Sequence, residues 1–61
     1  MYIALRNYRK KNNISVKTLA ELIQVDVCNY YRREQGKIEF SLEEIKKICN
    51  YLNIGLDVFV K

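Results

Sequence analysis

Apolar residues recur along this chain at intervals of three and four, the spacing that places side chains on one side of an α-helix. The spacing predicts helices over residues 2–12, 15–23, 27–35 and 42–52, and a short helical turn over residues 56–60. Proline is absent and glycine occurs only at Gly36 and Gly55, so few residues interrupt these helices. At 61 residues the chain has room for one domain, residues 1–61, and its predicted fold class is all-α.

Three of the predicted helix starts share one local chemistry. Ser15, Asp26 and Ser41 each offer a side-chain oxygen to the free N–H groups of a first helical turn. Each also lies between two apolar residues placed to form a hydrophobic staple, and the pairs are Ile14 with Leu19, Val25 with Tyr30, and Phe40 with Ile45. Glu44, three residues after Ser41, completes a capping box there. These repeated signals locate the helix boundaries.

The same spacing predicts which side chains fill the core. We expect Ile3 or Ala4 inside with Leu5 and Tyr8, and either Ile38 or Phe40 from the loop after the third helix. The other core residues expected are Val16, Leu19, Ala20, Leu22 and Ile23 from the second helix, Val25 and Tyr30 at the third, Leu42, Ile45, Ile48, Cys49 and Leu52 from the fourth, and Leu56 and Phe59 from the final turn.

Turn residues separate the helices. Asn12 and Asn13 form a turn signal because asparagine tolerates the left-handed backbone. Gly36 is expected in that conformation just beyond the third helix. Gln24 lies in the turn between the second and third helices, where a positive φ would cost on the order of 1 kcal/mol.

The second and third helices, joined by a short turn, form the arrangement that lays one helix in the major groove of DNA. The outer face of the third helix carries Val27, Cys28, Tyr31 and Arg32, with Asn29 at its edge. Small apolar groups can pack on a thymine methyl, arginine can bind guanine, and tyrosine can reach a phosphate or a base. The alternative interpretation is that Val27 and Cys28 pack against a neighbouring subunit.

Charge is distributed unevenly along the chain. Residues 1–37 hold eight Lys and Arg and three acidic residues, a net charge of +5. Residues 38–61 hold three Lys and four acidic residues, a net charge of −1. Positive charge therefore coincides with the two short helices, as expected for a surface that meets phosphates. The other interpretation is an ordinary solvated face.

Several classes of function are disfavoured. Histidine is absent, no Cys cluster has metal-ligand spacing, and no glycine-rich phosphate loop occurs, so we expect no enzyme activity, cofactor, metal or small-molecule substrate. Glu43 and Glu44 are adjacent and diverge on a helix. Two cysteines do not make a disulfide scaffold, and neither a membrane span nor a signal-peptide core is evident, so the expected location is the cytoplasm, with no membrane partner.

These residues resemble the Cro- and lambda-repressor-like helix-turn-helix family, often called Xre-like. The pattern S-Q-x-x-L-A-x-x-x-G-V-S-x-x-x-I-S-x-x-E-x-G of that family is met at Ser15, Leu19, Ala20, Val25, Glu34 and Gly36, with Tyr30 in the isoleucine position. The later stretch LEEIKKICNYLNIGLDVF is similar to the fourth and fifth helices of the family. The resemblance implies a compact five-helix domain with its helix-turn-helix at about residues 15–36.

The resemblance also implies roles for individual residues. Base-reading positions would be Val27, Cys28, Tyr31 and Arg32, and contacts to the DNA backbone would come from Ser15, Val16, Lys17, Gln24, Asn29, Gln35 and Lys37. Arg9 and Glu34 match residues that form an ion pair in the family. The chain departs from the family pattern at four positions. Val16 replaces a glutamine, Gln24 replaces the turn glycine, Asp26 replaces a serine cap, and Arg33 stands where an apolar residue is usual.

The leading hypothesis is a sequence-specific, double-stranded-DNA-binding transcriptional regulator, a repressor that binds a two-fold operator as a homodimer. Val58, Phe59 and Val60 form the expected dimer contact because they are more apolar than a chain end requires. The alternative is a helix-turn-helix module that binds protein, such as an antitoxin-like or scaffold domain. A third hypothesis is a thiol-based redox switch at Cys28.

Overall fold

The structure, a computed structural model, describes residues 1–59. Four α-helices follow one another, α1 (Ile3–Lys11), α2 (Val16–Leu22), α3 (Val27–Glu34) and α4 (Leu42–Leu52), and a 3-10 helix covers Leu56–Phe59. No strand occurs within these residues, so the all-α prediction is confirmed. The expected fifth helix is only a four-residue 3-10 turn, a length typical of that geometry.

The predicted helix starts are confirmed. In each case the capping side-chain oxygen accepts a hydrogen bond from a backbone N–H three residues later: Ser15 from Thr18 at 3.1 Å, Asp26 from Asn29 at 2.7 Å, and Ser41 from Glu44 at 3.1 Å. The Glu44 carboxylate returns a bond by accepting from the backbone N–H of Ser41 at 3.0 Å, which closes the capping box. Loss of one such cap typically costs about 1 kcal/mol.

Left-handed backbone occurs where the turns were predicted. Gly36 has a φ of 85° and Asn13 a φ of 56°, both just beyond a helix end. Gln24 has a φ of 61° in the turn between α2 and α3, where an L side chain is strained by about 1–2 kcal/mol. Asn53 ends α4 with a φ of 55°.

Side chains from all four helices meet in one core. Leu5, Leu19, Tyr30 and Ile48 are fully buried there. An aromatic cluster closes one side of this core, and its edge-to-face ring pairs are Tyr2 with Phe40, Tyr2 with Phe59, Tyr30 with Phe40, and Phe40 with Phe59. Such contacts each add about 0.5–1.5 kcal/mol beyond area burial.

The prediction for the first helix was wrong in one respect, because Ile3 is 56% exposed and Ala4 is exposed. Tyr2 enters the core instead and retains only 4% exposure. Its backbone N–H donates to the carbonyl of Glu34 at 2.8 Å, and its ring lies against Phe40. This anchor before α1 determines which side of the helix faces inward.

Leu42 and Leu56 were also expected in the core and are exposed by 65% and 62%. Leu42 opens α4 two residues after Phe40, whose buried ring already fills that part of the core. Leu56 opens the 3-10 helix, where Phe59 makes the aromatic contacts. The helical spacing of apolar residues therefore identifies candidate core residues, and the packing of neighbouring side chains decides which of them are buried.

The helix-turn-helix is held by contacts between α2 and α3. Val16, Leu19, Ala20 and Ile23 of this segment are buried. The backbone N–H of Val25 donates to the carbonyl of Ala20 at 3.0 Å, so the turn folds directly onto α2. Ala20 is 1% exposed, and its short side chain suits this close approach.

Candidate nucleic-acid interface

The inner face of α3 carries a buried polar network. Arg9 of α1 donates through Nε and Nη2 to the two carboxylate oxygens of Glu34, both at 3.1 Å. The Tyr30 hydroxyl donates to the same carboxylate at 2.8 Å, and the remaining Arg9 donor, Nη1, reaches the carbonyl of Ile14 at 3.4 Å. Arg9 and Glu34 are only 7% and 3% exposed. The ion pair expected from the family pattern is thus present and is joined by a tyrosine.

The network shifts the pKa values of its members. Burial raises the pKa of Tyr30 well above its usual value, and the neighbouring Glu34 carboxylate adds to the rise. The hydrogen bond with Glu34 raises the pKa of Arg9, against the opposing effect of burial. Because the guanidinium and carboxylate balance in charge, the network fixes α3 against α1 without leaving a net buried charge.

The outer face of α3 has the opposite character. Val27 is 40% and Tyr31 is 44% exposed, and Cys28 and Arg32 are also exposed. Arg32 donates through Nη1 to the Asn29 side chain at 3.3 Å, which restrains the guanidinium on this face. All four expected base-reading side chains therefore reach solvent.

The expected DNA-backbone residues differ in exposure. Ser15, Lys17, Gln24, Gln35 and Lys37 are exposed and Asn29 is half-buried. The Val16 side chain is buried in the core, so the DNA contact expected from Val16 would have to be made by its backbone. The Ser15 hydroxyl already contacts the Thr18 hydroxyl at 2.8 Å in addition to capping α2.

A second ion pair joins α3 to α4 and was not predicted. Arg33 donates through Nε to a Glu44 carboxylate oxygen at 3.1 Å and through Nη1 to the carbonyl of Asn29, also at 3.1 Å. The signal in the sequence was Arg33 itself, a charge at a position where the family pattern has an apolar residue. Its partner was hidden because Glu44 already had a local role in the capping box.

The structure also brings a cation of α1 to the end of α3. Arg6, Tyr31 and Gln35 line a cavity of about 140 Å³, together with Met1 and Glu34. Two of these, Tyr31 and Gln35, were expected to meet DNA, whereas Arg6 was given no role. Sequence spacing alone could not place Arg6 there, because it lies on a different helix.

A comparison with protein families finds that the helix-turn-helix family matches this chain over residues 5–59. The match covers every element described above except the first two residues of α1. The chain belongs to the Xre- and lambda-repressor-like helix-turn-helix family. Searches of curated proteins and of solved structures found no match.

Membership in this helix-turn-helix family establishes the broad class of function. The family consists of DNA-binding regulators of transcription and is not typically enzymatic. Within residues 1–59, no three acidic or sulfur-containing side chains are grouped so as to hold a metal ion, and none of the helices has the length and apolarity needed to traverse a bilayer.

The expected dimer contact lies at the end of this helix-turn-helix chain. Val58 and Phe59 are half-buried and pack against the core of their own chain, and Val60 falls outside the described residues. The larger apolar exposure in this half belongs to Leu42, Tyr51 and Leu56. A contact between subunits through Val58 and Phe59 stays a prediction.

The two cysteines are unpaired and lie in different environments. Cys28 is exposed on the outer face of α3. Cys49 is buried, and its Sγ donates toward the carbonyl of Gly55 at 3.6 Å. Burial raises the pKa of the Cys49 thiol, with a smaller effect from Asp57 in the same direction, so Cys49 is kept in its unreactive thiol form.

Proposed function

We propose that this helix-turn-helix protein is a sequence-specific regulator that binds a two-fold operator as a homodimer, with α3 in the major groove. The observation that supports this most directly is the asymmetry of α3. Its inner face is fixed to α1 by the buried Arg9, Glu34 and Tyr30 network, while its outer face exposes Val27, Cys28, Tyr31 and Arg32. A helix held rigidly, with contact groups on one open side, suits the reading of base edges.

Each group on the outer face has a distinct role in this proposal. Arg32 binds a guanine through its O6 and N7 atoms, which is the most common specific contact in the major groove. Val27 and Cys28 pack on a thymine methyl group, and Tyr31 reaches a phosphate or a base edge. Among the expected backbone contacts, the Lys17 and Lys37 ammonium groups hold phosphates on either side of the groove.

The regulatory consequence is control by occupancy. A bound homodimer covers its operator and denies polymerase the same DNA, so we propose that the protein is a repressor. The +5 net charge of residues 1–37 supports rapid association with DNA, because a basic surface attracts the duplex before specific contacts form.

Selection of binding sites from a random duplex library at physiological salt tests the proposal. We expect enrichment of a palindrome whose half-sites have centres about 10 bp apart, one turn of the duplex. A control duplex separates the half-sites by a further half turn of about 5 bp, which places them on opposite sides of the helix. The homodimer should lose most of its affinity for this control; equal affinity would exclude two-fold binding.

Exposed Val27 and Cys28 also favour a second function, in which the outer face of α3 binds another protein. The selection experiment separates the two. A protein-binding module would enrich no sequence and would show only background binding that weakens steeply with salt.

A further inference from the structure

A cavity of about 140 Å³ lies between α1 and the last turn of α3. Tyr31 and Gln35, one helical turn apart, form its α3 side, and Arg6 forms its α1 side. All three side chains are exposed and belong to residue types that donate hydrogen bonds. The cavity therefore presents a cation and two neutral donors to whatever enters it.

The charge of Arg6 is not neutralised by the protein. Neither ion pair found in residues 1–59 includes Arg6, and its guanidinium donates no hydrogen bond observed in that part of the chain. Glu34, the acidic residue at the cavity wall, is occupied by the two Arg9 bonds and the Tyr30 hydroxyl. The cavity consequently attracts an anion.

The position of the cavity indicates which anion. Val27, Tyr31 and Gln35 are four residues apart and form one row along the outer face of α3. At 1.5 Å per residue the row is about 12 Å long. The major groove is about 12 Å wide, so a helix whose first turn touches bases can bring its last turn to the phosphates at the groove edge.

We propose that this cavity binds one phosphate of the DNA backbone at the edge of the groove, with Arg6 as its main ligand. Arginine matches two phosphate oxygens at once, and the Tyr31 hydroxyl and the Gln35 amide supply further donors. The inference rests on the proposed function and adds α1 to the DNA-contacting elements. A free phosphate offers the same oxygens, and the test separates the two sources.

The first measurement is the salt dependence of affinity for a random-sequence duplex, which requires no knowledge of the operator. We expect Arg6→Gln to lower the slope of log K against log salt by about 0.9 per protomer, the effect of one lost phosphate contact. The corresponding loss of affinity at 0.15 M salt is about fivefold. Lys11→Gln removes the same charge from α1 without touching the cavity and should leave the slope nearly unchanged. Equal slopes for the two variants would overturn the inference.

The second measurement locates the phosphate on the selected operator. Methylphosphonate linkages, which remove the charge from one phosphate at a time, should reveal one position per half-site that weakens the wild-type protein and has no effect on Arg6→Gln. Arg6→Lys keeps the charge and should restore the salt slope, with lower affinity because the two-pronged geometry is lost. If every methylphosphonate affects wild type and Arg6→Gln alike, the site does not bind backbone phosphate.

A third measurement distinguishes this inference from the proposed function. Inorganic phosphate is titrated into the protein while the amide resonances of Arg6, Tyr31 and Gln35 are followed by NMR. Shifts that are absent in Arg6→Gln, combined with no enriched operator, would support the anion site and reject operator binding. The opposite outcome is an enriched operator with no change in salt slope for Arg6→Gln, no methylphosphonate position that distinguishes it from wild type, and no phosphate-induced NMR shift that depends on Arg6. That outcome would support operator binding and reject the anion site.

Discussion

The two faces of α3 reverse the usual distribution of polar and apolar groups. The inner face buries an ion pair and a phenol hydroxyl, whereas the outer face exposes Val27 and Cys28 to solvent. A helix that only completed a core would have apolar groups inside and charges outside. The reversal separates two tasks, since the inner face sets the orientation of the helix and the outer face is left free for a partner.

The polar network on the inner face also makes the orientation of α3 more specific. Directional hydrogen bonds hold α3 at one rotation angle about its axis. Apolar packing alone would allow that angle to vary. The bidentate Arg9–Glu34 pair is suited to this because it restricts angle as well as distance. Substitutions on the inner face should therefore change stability, and those on the outer face should change binding.

The largest effect is expected from Arg9→Met, which leaves the Glu34 carboxylate buried without its cation. Breaking such a pair costs about 3–5 kcal/mol. A chain of this length has a total stability of about 3–9 kcal/mol, so the loss removes much of the margin. Urea unfolding followed by helical circular dichroism measures it. The double variant Arg9→Met/Glu34→Leu should recover part of the loss, and a cost below about 1 kcal/mol for Arg9→Met would contradict the role of the pair.

A smaller loss is expected from Tyr30→Phe, which removes only the hydroxyl bonded to Glu34. A hydrogen bond to a charged group contributes about 1.5–3 kcal/mol. Because the pKa of Tyr30 is raised on folding, the folded chain retains a proton that the unfolded chain releases above about pH 10.

The free energy of unfolding should therefore be independent of Tyr30 titration below about pH 10 and should fall above it, by up to about 1.4 kcal/mol per pH unit. Tyr30→Phe should lack this decline. Cys49, whose pKa is also raised, contributes in the same direction and is common to both proteins, so their difference isolates Tyr30. Identical pH profiles would show that the Tyr30 hydroxyl is not buried as described.

On the outer face, Arg32→Ala should weaken binding to the selected operator by about 1–3 kcal/mol and relax the preference at one base pair. Stability should change by less than about 0.5 kcal/mol because Arg32 is exposed. Competition binding with single-base operator variants measures the preference. A uniform loss over all sequences would assign Arg32 to a phosphate.

An equally small effect on stability is expected from Val27→Ser, for which Val16→Ser serves as the control. Val16 and Val27 each occupy the first position of a helix after a capping residue, but Val16 is 8% and Val27 is 40% exposed. We expect Val27→Ser to change the free energy of unfolding by less than about 0.5 kcal/mol. Val16→Ser should cost about 1.5–3 kcal/mol, the value of burying one such side chain. Equal losses would mean that Val27 belongs to the core.

The helices and the helix-turn-helix could be predicted from the sequence because the signals that mark them are local. Ser15, Asp26 and Ser41 cap the helices within three residues of themselves, and Gly36 and Asn13 mark turns by their own backbone preference. A local signal of this kind can be recognised without knowledge of the tertiary structure.

What escaped prediction depends on residues far apart in the chain. Tyr2 replaces Ile3 in the core because Phe40 and Phe59 receive its ring, and Arg33 finds Glu44 on another helix. Arg6 lines one cavity with Tyr31 and Gln35 only after α1 and α3 pack. For the site, the sequence therefore predicts which residues line α3 but not which neighbours from α1 join them.

The shared role of Glu44 has an evolutionary consequence. One of its oxygens, Oε1, accepts both from the Ser41 backbone N–H and from Arg33 Nε, so the start of α4 and the attachment of α3 depend on the same atom. A substitution of Glu44 would remove both interactions at once. Arg33 and Glu44 are thus expected to covary among descendants of this chain, and a lineage that restores an apolar residue at position 33 is free to cap α4 in another way.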